Sequence, residues 1–301
     1  MSITLVIPEE YYIAGRINSE VREDIRKKIR VGLPILEIAE IVENGIRSKG
    51  AQPAFPCNIC INSVAAHFSP APNETSKILD GDIVKIDIGT HVNGYIADTA
   101  FTTSFNPEYD LLVQTANDML DAAIKTVKVG VKVGDIGQSI YQAASRLGLK
   151  PISNLSGHAI DQFKVHAGLS IPNIYVSGLP SLKSGQVYAI EPFVTTQKGA
   201  GVVVNGNRVD IFSLVARKRT GDKNLDNFAD KIWGKYKTLP FAFRHLLEFG
   251  DSNSVSTMIK QLVQKHVARD YAILVEEQGE PVAQAEHTIV PVDGGVIVLT
   301  E

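Results

Sequence analysis

The sequence predicts a mixed α/β (α+β) fold built from two similar halves. The first half contains two amphipathic helices, over residues 9–29 and 35–49, in which apolar side chains recur every three to four positions. The same plan recurs about 98 positions later, with helices over 107–128 and 135–147. An apolar strand follows each helix pair. Two helices and then a strand, present twice, predict duplicated α/β halves related by pseudo-two-fold symmetry.

Glycines mark equivalent helix boundaries in the two halves. Gly32 breaks the first helix and Gly50 ends the second, while Gly130 and Gly148 stand at the corresponding places of the second half. An asparagine followed by proline at 106–107 is typical of a helix start. The residues that mark the helix boundaries therefore repeat together with the helices.

Chemically special residues follow the same repeat. Asp87 and Glu191 each end a strand and are 104 positions apart, and His67 and His166 precede these strands 99 positions apart. Chance similarity between two amphipathic α/β units is the alternative explanation. The agreement of special positions in the same order favours duplication and suggests one site between the halves.

Composition excludes several classes of protein. Hydrophobic residues make up 44% of the 301, charged residues 21%, and the net charge is −3, unlike a disordered chain or a strongly basic nucleic-acid binder. The sequence has neither a long apolar run nor a cationic, apolar leader, so we expect no membrane span and no signal peptide. Two cysteines cannot form a disulfide framework, which favours a cytoplasmic protein. We expect neither a membrane nor a specific nucleic acid as partner.

Residues 85–105 predict a β-hairpin around the dipeptide Asn93-Gly94. If the loop is 92–93, Asp87 lies opposite Asp98; if it is 93–94, the two are diagonal neighbours. Either register puts both carboxylates on one face, about 5–8 Å apart. Both acids are exposed, or one is protonated, or a metal binds between them. The apolar residues around them disfavour exposure.

Further candidate metal ligands lie in the second half. His158 lies in a loop segment before a strand, Glu191 ends the apolar strand 187–190, and Glu286 lies within the predicted strand 283–290. Together with the two hairpin aspartates, they make four carboxylates and one imidazole. Such a set suits two hard or borderline divalent cations.

Several motifs together resemble the type 2 methionine aminopeptidases, the archaeal and eukaryotic kind. The matching segments are Lys85–Gly89, Asp98–Phe101, Ser156–His158, Ala189–Phe193, Gln284–Thr288 and Asn62–Pro70. The resemblance covers essentially the whole chain. It implies the pita-bread fold, in which duplicated α/β halves form a mainly antiparallel, curved sheet and a helical insertion is added.

The resemblance also implies a role for each candidate ligand. Asp87 would chelate one of two divalent metal ions (Co, Mn, Fe or Zn), and Asp98 and Glu286 would bridge the pair. His158 and Glu191 would complete the shell of the other ion. Glu191 would also take the proton of the attacking, metal-activated water.

The implied activity is removal of the initiator methionine from nascent proteins whose second residue is small. His67 and His166 would be catalytic residues that hydrogen-bond the scissile peptide, and Phe55 and Val165 would line the pocket for the methionine side chain. The expected partner is the N-terminal methionine of nascent peptides. We further expect a monomer with at most a weak association with the ribosome.

A long insertion distinguishes the second half. Glu191 and Glu286 are 95 positions apart, against 11 for the corresponding acids of the first half. Residues 201–269 contain most of the difference and resemble the helical insertion of the type 2 enzymes. We therefore expect a catalytic domain over 1–200 and 270–301 and an inserted helical subdomain over 201–269. Its predicted helices are 224–236, 240–249 and 254–267. Its basic run, 217–219, predicts a solvated surface or a weak contact with ribosomal RNA.

Other features leave alternatives open. A proline-specific peptidase of the same fold, which usually has a further N-terminal domain, and a non-catalytic relative, which tends to lose metal ligands, are the competing functions. Cys57 and Cys60 form a CxxC without the second pair that a zinc site needs, so we expect buried thiols or a local disulfide. We expect His91 to be exposed and His287 to face away from Glu286.

Overall fold

The computed structural model describes residues 7–301. Residues 1–6, which belong to the segment 1–10 where no signal peptide is predicted, lie outside the described part. Seven α-helices are found in that part: α1 (Glu9–Arg26), α2 (Ile35–Ser48), α3 (Asp110–Thr126), α4 (Val133–Ser145), α5 (Lys223–Tyr236), α6 (Phe243–Leu246) and α7 (Ser252–Gln264). The strands of the first half are β1 (Gln52–Pro53), β2 (Asn58–Ile61), β3 (Val64–Ala66), β4 (Ile83–Val92) and β5 (Tyr95–Ser104). The later strands are β6 (Lys150–Pro151), β7 (Ser156–Ile160), β8 (Ser170–Pro172), β9 (Val187–Ile190), β10 (Phe193–Thr195), β11 (Val203–Leu214), β12 (Phe241–Ala242), β13 (Ala268–Glu276), β14 (Val282–Gln284), β15 (His287–Val292) and β16 (Gly295–Val298). None of the helices in this part is long and apolar enough to cross a membrane.

The first half packs α1 and α2 against an antiparallel sheet in which β4 is flanked by β1, β2 and β5. The apolar stripe of α1 fits this packing, because Ile17, Val21 and Ile25 are buried in the same cluster as Ile86 and Ile88 of β4. Burial of this stripe, rather than intrinsic helix propensity, stabilises the helix.

The hairpin of β4 and β5 adopts one of the two predicted registers. Asp87 pairs with Ala100, and Gly89 pairs with Asp98, so the two acids are diagonal neighbours. The loop is Asn93-Gly94, and both residues have positive φ, as a two-residue type I′ turn requires.

The second half repeats this arrangement with α3 and α4. They pack against an antiparallel sheet of order β16-β15-β9-β7-β8, and a smaller sheet, β14-β10-β6, lies beside it. The helix predicted from residue 107 begins with a 3₁₀ turn, and α3 itself starts at Asp110. The predicted mixed α/β class with duplicated helix pairs and mainly antiparallel sheets is confirmed.

Two local predictions are wrong. His158 lies in β7 rather than in a loop, paired with Ala189 of β9 and Ser170 of β8. The predicted strand 283–290 is two strands, β14 and β15. Its interruption has a physical reason: the Glu286 N–H donates to Ala100 O of the other half over 3.0 Å, so this residue leaves the register of its own sheets.

The two halves are fastened beside this bridge. The Thr288 hydroxyl accepts a hydrogen bond from Asp98 N and donates to Asp98 O, both over 2.7 Å, and Thr99 Oγ1 donates to Glu286 O over 2.7 Å. These threonines are buried, so the bonds are shielded from water. The backbone of Asp98 is thereby fixed by both halves.

In the sequence, the helices of residues 223–264 come between β11 and β13, two long strands that pair with each other. These helices share an apolar cluster that includes Phe228, Ile232 and Leu262. The boundary predicted at 269/270 falls within β13, which also pairs with β3 of the first half. The helix predicted over 240–249 begins only at Phe243, because Phe241 and Ala242 pair with β11, and it consists of the short helix α6 followed by a 3₁₀ turn over Leu247–Phe249.

Candidate active site

A pocket of about 220 Å³ lies where the two halves meet β11 and β13. It is lined by all nine site residues that the sequence predicted. These are Phe55, His67, Asp87, Asp98, His158, Val165, His166, Glu191 and Glu286. The structure therefore brings together residues that are up to 231 positions apart in the sequence.

The five candidate metal ligands come from five different places in the fold. Asp87 lies on β4 and Asp98 on β5, His158 lies on β7, Glu191 follows β9, and Glu286 lies between β14 and β15. One ligand atom each of Asp98, His158 and Glu286 lies within 4.8 Å of the other two. His158 Nε2 is 3.4 Å from Glu191 Oε1 and 3.8 Å from Asp98 Oδ2. Atoms this close can coordinate a common cation.

The four carboxylates are buried close to one another, which perturbs their titration. Burial raises the pKa of Asp87 to about 7. Burial, followed by repulsion from neighbouring carboxylates, raises the pKa of Asp98, Glu191 and Glu286 well above the ordinary range. Four such groups cannot all stay ionised at neutral pH without a compensating positive charge.

The residues fit divalent cations. Asp87 Oδ1 and Asp98 Oδ1 are buried and have no hydrogen-bond partner within residues 7–301. Buried polar atoms are nearly always paired, so two orphaned carboxylate oxygens in one pocket need an explanation. Burial lowers the pKa of His158 to about 3, with the charge of His166 adding to it, which keeps its imidazole neutral and able to bind a metal.

Two further histidines face the pocket. His67 Nδ1 is 3.2 Å from Ala272 O, which can only accept, so this nitrogen carries the proton. The ring centroid of His166 is 4.3 Å from that of His158. Burial lowers the pKa of His67, and burial together with the charge of His67 lowers the pKa of His166 to about 4. Both imidazoles are therefore neutral at pH 7, and in His67 the free Nε2 is an acceptor.

The apolar side of the pocket belongs to one buried cluster. Phe55 and Val165 are 7% and 8% exposed and share that cluster. The Phe55 ring lies directly over Gly89, where an added Cβ would be only 2.2 Å from the ring. A side chain at position 89 would thus compete with Phe55 for space.

Asn58 and Tyr271 are two of the further residues that line the pocket and that the sequence did not predict. Asn58 lies on β2 opposite Asp87, is buried, and has an unpaired Oδ1. The Tyr271 ring stands edge-on to His67 at 5.7 Å, and its hydroxyl is 3.0 Å from Ser213 Oγ. Nothing in the sequence singled out Tyr271, whereas Asn58 stood inside the CxxC motif.

Residues outside the site also differ in part from expectation. His287 does not line the pocket, and its Nδ1 lies 2.9 Å from Thr300 Oγ1. This agrees with the prediction that His287 faces away from Glu286. His91 is half-buried rather than exposed, because its Nδ1 accepts a hydrogen bond from Gly94 N in the hairpin turn. Cys57 and Cys60 are free and buried, and burial raises the pKa of both thiols.

Comparison with known proteins gives concordant results. The model of metallopeptidase family M24 matches residues 9–211. A methionine aminopeptidase of Methanothermobacter thermautotrophicus is 40% identical over 97% of this chain and 98% of its own length. The crystal structure of a methionine aminopeptidase from Thermotoga maritima has a TM-score of 0.71 at 21% identity over 99% of both chains. A thermophilic Arx1 has a TM-score of 0.80 at 17% identity over 99% of this chain and 91% of its own. The last two likenesses show the fold alone, which agrees with the predicted pita-bread fold.

Proposed function

The chain belongs to the methionine aminopeptidases of metallopeptidase family M24, and we propose that it removes the initiator methionine from nascent proteins whose second residue is small. The observation that carries the proposal is the convergence of four buried carboxylates and a neutral histidine beside an apolar pocket. Members of a metallopeptidase family use divalent metal, and this group of residues is suited to hold it.

Two divalent ions, of Co, Mn, Fe or Zn, are the cofactors that this set of ligands fits. Asp87 would hold one ion, Asp98 and Glu286 would be shared by the two, and His158 and Glu191 would complete the set for the second. The buried, unpaired Oδ1 atoms of Asp87 and Asp98 support metal binding at these two residues. When bound, such a pair supplies an activated water and polarises the scissile carbonyl.

The side chains of the pocket perform the proton transfers and the positioning. Glu191 accepts the proton of the attacking water and returns it to the leaving amine. The free Nε2 of His67 accepts a hydrogen bond from the peptide N–H. His166 donates one to the carbonyl oxygen, where negative charge develops in the transition state. Neutral imidazoles are suited to both tasks.

The shape of the pocket explains the requirement for an N-terminal methionine. Phe55 and Val165 bury the methionine side chain, and the free α-amine lies against the acidic cluster. An internal peptide bond has no such amine and cannot be placed there. A pocket of fixed depth behind the second residue would limit cleavage to proteins whose second residue is small.

The helical insertion supports assignment to type 2. Residues 1–200 and 270–301 form the catalytic domain, and residues 201–269 form an inserted subdomain whose helices share one apolar cluster. In the basic run, Arg217 and Arg219 both form ion pairs with Asp230. This pairing favours a solvated surface rather than a contact with ribosomal RNA. Because nascent chains are its proposed substrates, we infer that the protein acts in the cytoplasm with at most weak ribosome association, and we propose that it is a monomer.

The test is release of methionine from a Met-Ala-Ser peptide by protein loaded in turn with each of the four metals. Glu191→Ala and His158→Ala should abolish release while the circular dichroism spectrum is retained. Full activity in either variant would contradict the site assignment. Cleavage of Xaa-Pro dipeptides in preference to Met-Ala-Ser would instead favour a proline-specific peptidase.

A further inference from the structure

A buried ion cluster joins the insertion to the first half of the catalytic domain. The Glu43 carboxylate of α2 accepts hydrogen bonds from the Arg244 guanidinium and from His245 Nε2, the latter over 2.8 Å, both on α6. Arg47 lies 3.4 Å from the same carboxylate. Glu43 is 4% exposed, and the side chains of Arg244 and His245 are 9% and 12% exposed. Glu43, Arg244 and His245 together form the Glu43 cluster.

The charges in the Glu43 cluster are matched. Burial acts to raise the pKa of Glu43, but the hydrogen bond from His245 and the charges of Arg244 and Arg47 outweigh it and lower that pKa to about 2. Burial lowers the pKa of His245. Its Nδ1 faces Ala242 N at 3.3 Å as an acceptor, so Nε2 carries the proton and donates to Glu43. At neutral pH the cluster is a carboxylate, a guanidinium and a neutral imidazole with satisfied hydrogen bonds.

The Glu43 cluster contacts both ends of the segment that forms one pocket wall. Glu43 Oε1 accepts a hydrogen bond from Cys57 N over 3.2 Å, between Phe55 and Asn58 of the pocket. Arg244 donates to Ser69 Oγ over 2.6 Å and to Pro70 O over 3.0 Å. Ser69 in turn donates to Cys57 O over 2.9 Å. The cluster therefore fixes residues within two positions of both Phe55 and His67.

The backbone of His67 makes this restraint necessary. Its φ is +66°, in the left-handed region that costs a residue with a side chain about 1–3 kcal/mol. Such a conformation persists only where the surrounding structure imposes it. On the N-terminal side, β3 is held by its pairing with β13. On the C-terminal side, Arg244 holds Ser69 and Pro70.

We propose that Glu43, Arg244 and His245 are positioning residues through which the inserted subdomain holds Phe55 and His67 in their working geometry. The pocket is thus built partly from the insertion, although no member of the cluster lines it. This inference rests on the proposed function for its effect on activity. Its effect on the structure of residues 55–70 does not depend on that function.

The test uses Glu43→Gln, which keeps the shape of the side chain, Arg244→Met and the double variant. In each, amide hydrogen exchange in residues 55–70 should become at least tenfold faster than in the wild type. The kcat/KM for Met-Ala-Ser should fall at least tenfold. The double variant should lose about as much as either single variant, since the two groups act as a unit.

Two control variants separate positioning from general stability. Arg219→Met removes an exposed ion pair of the same subdomain and should change neither readout. Leu262→Ala opens a cavity in the apolar cluster of the insertion helices and lowers the melting temperature. It should speed exchange in α5 and α7 while kcat/KM and the exchange of residues 55–70 stay within twofold of the wild type.

The proposal is overturned if Glu43→Gln leaves either the exchange of residues 55–70 or kcat/KM within twofold of the Leu262→Ala values. If Arg244→Met does not fold, Glu43→Gln alone decides. If the wild type releases no methionine, the proposed function fails, and the exchange measurement still decides whether the cluster holds this segment.

Discussion

Gly89→Ala should narrow the methionine pocket with little effect on folding. A Cβ at position 89 would lie 2.2, 2.4 and 2.7 Å from three atoms of the Phe55 ring, whereas carbon atoms in contact are about 3.5–4.0 Å apart. The ring must therefore retreat by more than about 1 Å. The open space beside it is the pocket of about 220 Å³, so we expect the ring to move into the volume reserved for the methionine side chain.

The cost of this movement falls on substrate binding. Inserting one extra methyl group into a packed site costs about 1–3 kcal/mol of free energy. In this variant the cost arises on substrate binding, because the bound methionine pushes the Phe55 ring back against the new methyl group. Since about 1.4 kcal/mol is a tenfold change, KM for Met-Ala-Ser should rise between about fivefold and about 150-fold. The melting temperature should change little, because the free enzyme relieves the clash.

Steady-state kinetics and thermal unfolding of the same samples are the assay. Gly45→Ala is the control: this glycine lies in α2, and its nearest neighbour, a Val21 methyl, would be 3.5 Å from the new Cβ. It should stabilise α2 by about 0.5–1 kcal/mol and leave KM unchanged. A KM within twofold of the wild type for Gly89→Ala would refute the placement of methionine against Phe55.

Three further predictions concern stability. Chelation of metal should lower the melting temperature, because ions that bind only the folded chain at 100 times their Kd stabilise it by about 2.7 kcal/mol; equal calorimetric curves with and without chelator would contradict metal binding. The lowered pKa of Glu43 means that its stabilisation is complete above about pH 4.5 and is lost as the pH falls through about 2. Urea unfolding should thus show a gap between wild type and Glu43→Gln at pH 6 that shrinks toward pH 3, and a constant gap would disprove the ionised cluster. Asn18→Ala should lower the free energy of unfolding by about 1–3 kcal/mol, since its amide donates over 2.7 and 2.9 Å to two buried carbonyls, Ile88 O and Ala97 O, and the variant loses both hydrogen bonds. Denaturant titration measures the loss, and one below about 1 kcal/mol would contradict it.

Sequence reasoning was strongest where a pattern repeats over many residues. The stripe of α1 and the duplicated helix pairs follow from periodicity alone, since one face of each helix must be buried. The hairpin register stayed ambiguous between two loops. It is decided by the positive φ of Asn93 and Gly94, which only the folded hairpin reveals.

Contacts across the fold could not be predicted. Glu286 interrupts its strand because it bonds to Ala100, which is 186 positions away. The apolar periodicity of α2 says nothing about the role of Glu43, whose partner Arg244 is 201 positions further along the chain. Tyr271 lines the pocket because β13 pairs with β11, and the sequence predicted neither of these two strands.

The central claim is that Asp87, Asp98, His158, Glu191 and Glu286 bind two metal ions on which methionine release depends. The most direct test measures metal content by mass spectrometry and methionine release from Met-Ala-Ser on the same sample. The wild type should hold two ions per chain and be active. Asp98→Asn, at the bridging position, should lose metal and activity together. Full methionine release by a sample without metal, or undiminished metal binding by Asp98→Asn, would contradict it.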